Sequence, residues 1–122
     1  MKTILVADDD CVNLELTCAI LEGGGFAVVP ANDGREVLDT IESVRPDLLL
    51  LDIQMPRVDG FGVVARLRED QRYANLPIIA TSASAMSGDK ALALSRGFDA
   101  YVEKPFEIAG LLEVLNRYLA AE

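Results

Sequence analysis

Four apolar runs in this chain lead into residues that can do chemistry. Asp8-Asp9-Asp10 closes Ile4-Leu5-Val6-Ala7, Asp52 closes Leu48-Leu49-Leu50-Leu51, Thr81 follows Ile78-Ile79-Ala80, and Lys104 stands just past Val102. Short continuous apolar runs read as buried strands, and parallel α/β sheets collect reactive groups at the carboxyl ends of their strands. Asp8, Asp9 and Asp52 would bring three carboxylates within a few ångströms, where they repel one another unless a cation intervenes. Oxygen-only ligation favours Mg²⁺ or Mn²⁺ over zinc. A Thr81 hydroxyl and a Lys104 ammonium beside such an ion would hold and neutralise a phosphoryl group. Each residue alone has a plain use, as a cap, a strand residue or a surface charge. Their gathering at one sheet edge points instead to a metal-assisted phosphoryl acceptor.

The elements that must position them alternate. Strands are predicted at residues 3–7, 26–30, 48–51, 77–80 and 100–102, and helices at 11–21, 35–44, 61–68, 87–96 and from Pro105 to 119. Gly23-Gly24-Gly25 stops the first helix, Asn32-Asp33-Gly34 turns into the second, and Pro105 suits a first helical turn. Asp10 fits the N-cap of the first helix. The expected fold is a flavodoxin-like, doubly wound parallel sheet of five strands, order 2-1-3-4-5, flanked by five helices. The first and third strands, which carry the aspartates, are then neighbours. Residues 1–122 leave room for one domain.

Composition narrows the chemistry further. The net charge of −9 argues against direct nucleic-acid binding, which calls for a basic face. With no histidine, His-based acid–base catalysis, Ser-His-Asp triads and most zinc sites are excluded, and in any phosphorelay this chain must serve at an aspartate step. Cys11 and Cys18 would be separated by about 10 Å of helix rise, too far for a mutual disulfide. The apolar runs fall well short of the roughly 20 residues that cross a bilayer, and no signal-peptide pattern opens the chain, so a cytoplasmic protein without membrane insertion is expected.

The ordered set of Asp8-Asp9, Asp52, Met55-Pro56 with Asp59-Gly60, Thr81 and Lys104-Pro105-Phe106 resembles the receiver domain of two-component response regulators, in the single-domain form typified by chemotaxis regulators. The resemblance covers the whole chain. It implies that Asp52 is the phosphoacceptor, that Asp9 and Asp52 bind Mg²⁺ or Mn²⁺ through their side chains, that Asp8 does so directly or through water, and that the Gln54 carbonyl adds a ligand. It further implies that the Thr81 hydroxyl moves toward the phosphoryl group, that Lys104 pairs with it, and that Tyr101 is an aromatic switch. The implied partners are a histidine kinase or histidine phosphotransfer protein and a downstream protein target, the implied output surface is helix four–strand five–helix five, and the chain is expected as a monomer or weak dimer. Gln54 and Ala83 occupy positions that in this family tune phosphoryl lifetime. The small-residue stretch 82–89 reads equally as a mobile or a well-packed approach to helix four.

Two alternatives compete. A phosphorylation-independent interaction module on the same fold would tend to lose the Asp52–Thr81–Lys104 set. A nucleotide or flavin enzyme would need a glycine-rich phosphate loop, and three aspartates stand where a flavin phosphate would bind. On the first helix, Val12, Leu16, Ala19 and Ile20 share one face and are read as the core stripe. Leu14, Cys18 and Leu21 lie nearly opposite, either leaning on helix five or forming a docking face that Leu14→Glu would disrupt.

Overall fold

A computed structural model describes residues 1–55, 58–82, 89–104 and 107–119. The elements are β1 (Thr3–Ala7), α1 (Cys11–Gly23), β2 (Ala27–Ala31), α2 (Gly34–Val44), β3 (Leu48–Asp52), α3 (Gly60–Arg68), β4 (Ile78–Ser82), α4 (Asp89–Ser95), β5 (Ala100–Glu103) and α5 (Ile108–Leu119). One turn of 3-10 helix, Gln71–Tyr73, precedes β4. The strands form one parallel sheet in the order β2-β1-β3-β4-β5. Pro56, Ala83 with the rest of 83–88, Pro105 and Phe106 lie outside the described residues.

The four leucines of β3 explain the architecture. Successive strand side chains point to opposite faces, so an uninterrupted apolar strand must be covered on both. Leu48 and Leu50 join Ile4, Val6 and Ile79 in a core against Leu14 and Leu21 of α1 and Leu111 and Leu115 of α5. Leu49 and Leu51 join Leu5, Ile78 and Ala80 against α2, α3 and α4. Each fully buried leucine contributes roughly 1.5–3 kcal/mol.

Three strands, β3, β4 and β5, run further than the apolar pattern implies. They extend into polar residues because the ladder continues, pairing Asp52 with Thr81, Thr81 with Val102 and Ser82 with Glu103. Asp52 is therefore the last residue of its strand, with its backbone held in the sheet. Asp10, Asp33 and Asp59 cap α1, α2 and α3, their carboxylates accepting from N–H groups of the first helical turn.

On α1 the Leu14, Cys18 and Leu21 stripe leans on α5, one of the two expected readings, while the face read as the core stripe is largely exposed. Leu14, Thr17 and Leu21 are buried, whereas Val12 and Leu16 are 74% and 59% exposed. Apolar residues surround this helix almost completely, so periodicity cannot choose a face, and the packing of Leu14 and Leu21 against α5 does. Leu14→Glu would therefore place a charge in the core. Cys11 and Cys18 are both free thiols, and burial, aided by Glu22, raises the Cys18 pKa. No helix among the described residues is long and apolar enough to cross a membrane.

Arg45 caps the end of α2 in the left-handed region, at φ 51° and ψ 61°. A side chain there costs about 1–2 kcal/mol, and glycine avoids that cost while entering the unfolded state with more entropy to lose. Arg45→Gly is expected to stabilise the domain by about 0.5–1 kcal/mol in urea unfolding. A loss of stability would mean that the guanidinium contributes more than its backbone costs.

Candidate functional site

At the carboxyl ends of β1 and β3, Asp8 and Asp52 are buried and Asp9 is exposed. Parallel pairing of Ala7 with Leu51 puts the two strand ends side by side. One carboxylate oxygen from each of Asp8, Asp9 and Asp52 lies within 4.8 Å of the other two. Opposite ligands of an octahedral Mg²⁺ with bonds near 2.1 Å are about 4.2 Å apart, so small side-chain adjustments would let these oxygens share one ion. An all-carboxylate donor set also fits a hard cation.

Backbone amides aim the buried carboxylates. The Asp10 N–H donates to Asp8 Oδ1 at 2.9 Å, and the Gln54 N–H donates to Asp52 Oδ1 at 2.9 Å. The remaining oxygens face Lys104, whose Nζ donates to Asp52 Oδ2 at 3.1 Å and forms a short ion pair with Asp8 Oδ2. Lys104 is placed by its own N–H, which donates to the Ser82 carbonyl at 2.9 Å and extends the β4–β5 ladder. Thr81 is buried beside Asp52 on the adjoining strand, with backbones about 4.8 Å apart. Its carbonyl accepts the Ile53 N–H at 3.0 Å.

The electrostatics follow from burial and from the Lys104 ammonium. Desolvation raises the Asp52 pKa, with Asp8 adding to the rise and the Gln54 N–H and Lys104 opposing it. Burial alone would lower the Lys104 pKa, but hydrogen bonds and charge from Asp8 and Asp52 outweigh it and hold the ammonium above its ordinary value. Lys104 is thus firmly charged and shared by two carboxylates.

The structure brings together Asp8, Asp9, Asp52, Thr81 and Lys104. The Gln54 side chain is exposed, and its backbone meets Asp52 through the N–H just described. Tyr101 is not at the carboxylates; it is the register partner of Ala80, half-buried against the α2–α4 side of the core. Asp10 takes the capping role expected of it, through its Oδ1 and the Val12 and Asn13 N–H groups. The Asp59-Gly60 pair proves to have a physical basis. Asp59 caps α3, and a Cβ on Gly60 would lie 2.7 Å from Ile53 Cα and 2.9 Å from the Asp52 carbonyl. Only glycine lets α3 start directly against the strand end that carries Asp52. The supporting contacts of Asp10, Ile53 and Ser82 are made by backbone atoms, so no residue type in the sequence could announce them.

The model of the response regulator receiver domain matches residues 4–116. The polar-differentiation response regulator DivK of Brucella anthropi is 34% identical over 97% of this chain and 96% of its own. Among solved structures, the chemotaxis protein CheY4 of Vibrio cholerae superposes with a TM-score of 0.89 at 29% identity, covering 97% of this chain and 98% of that one. The receiver domain of a sensor histidine kinase of Pseudomonas aeruginosa, solved with magnesium coordinated in its active-site cleft, gives 0.90 at 32% identity, covering 98% of each chain. The chain belongs to the response regulator receiver domain family, the phosphoacceptor modules of two-component signalling.

Proposed function

We propose that Asp52 accepts a phosphoryl group from the phosphohistidine of a histidine kinase or phosphotransfer protein, and that residues 1–122 act as one receiver unit whose output passes through a protein partner. The observation that carries the reading is Lys104 Nζ in contact with both Asp8 and Asp52 beside the exposed Asp9. Poor solvation leaves the Asp52 carboxylate a better nucleophile than a surface aspartate. One of its oxygens forms the new P–O bond as the P–N bond to the donor imidazole breaks in line, and the electron pair of that bond leaves on nitrogen. Lys104 meets the charge spread over the transferring group. Asp8, Asp9, Asp52 and the Gln54 carbonyl would hold Mg²⁺ or Mn²⁺, which supplies further neutralisation of phosphoryl oxygens when bound. Hydrolysis of the acyl phosphate restores Asp52 and releases inorganic phosphate, so the switch resets itself without being an enzyme for another substrate.

The Thr81 hydroxyl, opposite Asp52 in the ladder, would take a phosphoryl oxygen, and Tyr101, one register step away on β5, would follow its movement into the face made by α4, β5 and α5. Val12 and Leu16, exposed at the site end of α1, offer the phosphodonor an apolar surface.

The test is the intact mass after incubation with acetyl phosphate, with and without Mg²⁺. A gain of one phosphoryl group only with Mg²⁺, and none in Asp52→Asn, is the expected result. A gain that persists in Asp52→Asn would place the acceptor elsewhere. In neither acetyl phosphate nor a phosphohistidine donor reacting, the phosphorylation-independent interaction module would replace this reading. Leu16→Glu should slow transfer from the protein donor while leaving acetyl phosphate uptake unchanged.

A further inference from the structure

At the edge of the sheet remote from Asp52, one side chain gathers the ends of several elements. Arg68, the last residue of α3, uses all three guanidinium nitrogens. Nε donates to the Gly97 carbonyl at 3.0 Å, Nη1 to three carbonyls of the turn before β4 at 2.8–3.2 Å, and Nη2 to Asp99 Oδ2 at 2.9 Å. Asp99 carries the network onward. Its Oδ2 also accepts the Ile78 N–H at 2.8 Å, its own N–H donates to the Ile78 carbonyl at 2.8 Å, and its carbonyl accepts the Tyr118 hydroxyl of α5 at 2.9 Å. Gly97 adopts φ +111°, and a Cβ there would sit 3.2 Å from Arg68 Cγ, so the chain leaving α4 is moulded onto the arginine stem.

We infer that Arg68 and Asp99 form a clamp pinning the remote ends of α4, β5 and α5, so that the face these elements make moves only at its site end. The chain direction supports this. In a parallel sheet α4 and α5 start near the carboxyl edge and finish at the opposite one, where Gly97 and Tyr118 lie. A planar guanidinium in several charge-assisted or carbonyl hydrogen bonds holds one geometry and cannot release its partners singly. The other end of β5 is held to the site through Lys104, whose two carboxylate partners are the groups that phosphorylation would change. From Asp99 to Lys104 the extended chain spans about 16 Å, so a small shift at the site becomes a tilt of the whole face about the clamp. The clamp stands independently of phosphorylation; the tilt rests on the phosphoacceptor reading above.

Native-state hydrogen exchange of the full chain without metal tests the clamp. Arg68→Lys keeps the charge and loses the fork. It should speed exchange at the hydrogen-bonded amides of Ile78, Arg96, Phe98 and Asp99 by about 10-fold or more beyond any change at Val6 and Leu50, which report global opening. Ile41→Val, in the α2-side core, should move both groups alike. Equal acceleration of both groups by Arg68→Lys would overturn the clamp. In a second arm with Mg²⁺ present and phosphoryl loading verified by mass, exchange relative to the same protein in Mg²⁺ without phosphodonor should change at 101–104 and stay constant at 97–99. Equal change at both ends would overturn the tilt while leaving Asp52 established as the acceptor.

Discussion

Lys104→Met is expected to destabilise the domain by about 3 kcal/mol or more in the absence of divalent cations, because it leaves Asp8 and Asp52 buried without their shared counter-charge. The pH dependence should change with it. The folded-state pKa of Asp52 is raised above 3.8, so this group contributes stability that is fully present below that value and lost as pH rises through the folded pKa. Lys104 is also raised, from 10.5, so its contribution persists through neutral pH and disappears only on the alkaline side. Without it only the Gln54 N–H, among the described partners, still favours the Asp52 carboxylate, so the folded pKa of Asp52 climbs further, and the acid-side loss grows and extends toward neutral pH. Urea unfolding in chelator at about pH 5 and pH 8 should therefore show a wider stability gap from the parent protein at the higher value. Added Mg²⁺ should narrow the gap by stabilising the variant more than the parent. Uptake from acetyl phosphate should also slow by about 100-fold or more, from the loss of a positive group aimed at the transferring phosphoryl. An unchanged unfolding free energy in chelator would mean that Lys104 does not balance the two carboxylates.

Gly34→Ala should be the most damaging single-methyl change in the fold. Gly34 opens α2 directly after its cap, and a Cβ there would lie 1.9 Å from the Val58 carbonyl oxygen, 2.9 Å from its carbon and 2.8 Å from a Val63 methyl. The obstacle is backbone, so no rotamer change relieves it, and α2 must separate from the segment leading into α3. Helix propensity favours alanine by about 1 kcal/mol, but overpacking against fixed atoms costs up to about 3 kcal/mol and occasionally more. We expect a net loss of about 2–3 kcal/mol in urea unfolding. Because Gly60 seats α3 on the Asp52–Ile53 backbone, the displacement should also slow phosphoryl uptake. Gly34→Ala at parental stability would mean that the segment around Val58 yields freely.

The buried parallel sheet, the caps of α1 and α2 and the strand-end aspartates were legible because each rests on local chemistry. Four consecutive leucines can be buried only between two layers of helix, an Asp before a helical turn satisfies free N–H groups, and an Asp or Lys at a strand end has nowhere to go but the sheet edge. The face of α1 was not legible, since Val12 and Leu14 are equally apolar and only contact with α5 separates them. The ends of β3 and β4 were also misjudged, because their ladder partners lie far along the chain and hydropathy falls before pairing does. Nor could α3 announce the role of Arg68, whose acceptors are mostly carbonyls and carry no side-chain signature.

The sequence by itself therefore determined which residues could carry charge and nucleophile to one edge, and that a parallel sheet would bring them there. Tertiary structure alone decided how that charge is shared. Lys104 is 52 residues from Asp52 and 96 from Asp8 along the chain, and its position between them depends on β1, β3, β4 and β5 pairing in register. Local sequence sets the direction of a strand and the chemistry at its end, but balance among buried charges depends on distances that only the packed sheet defines.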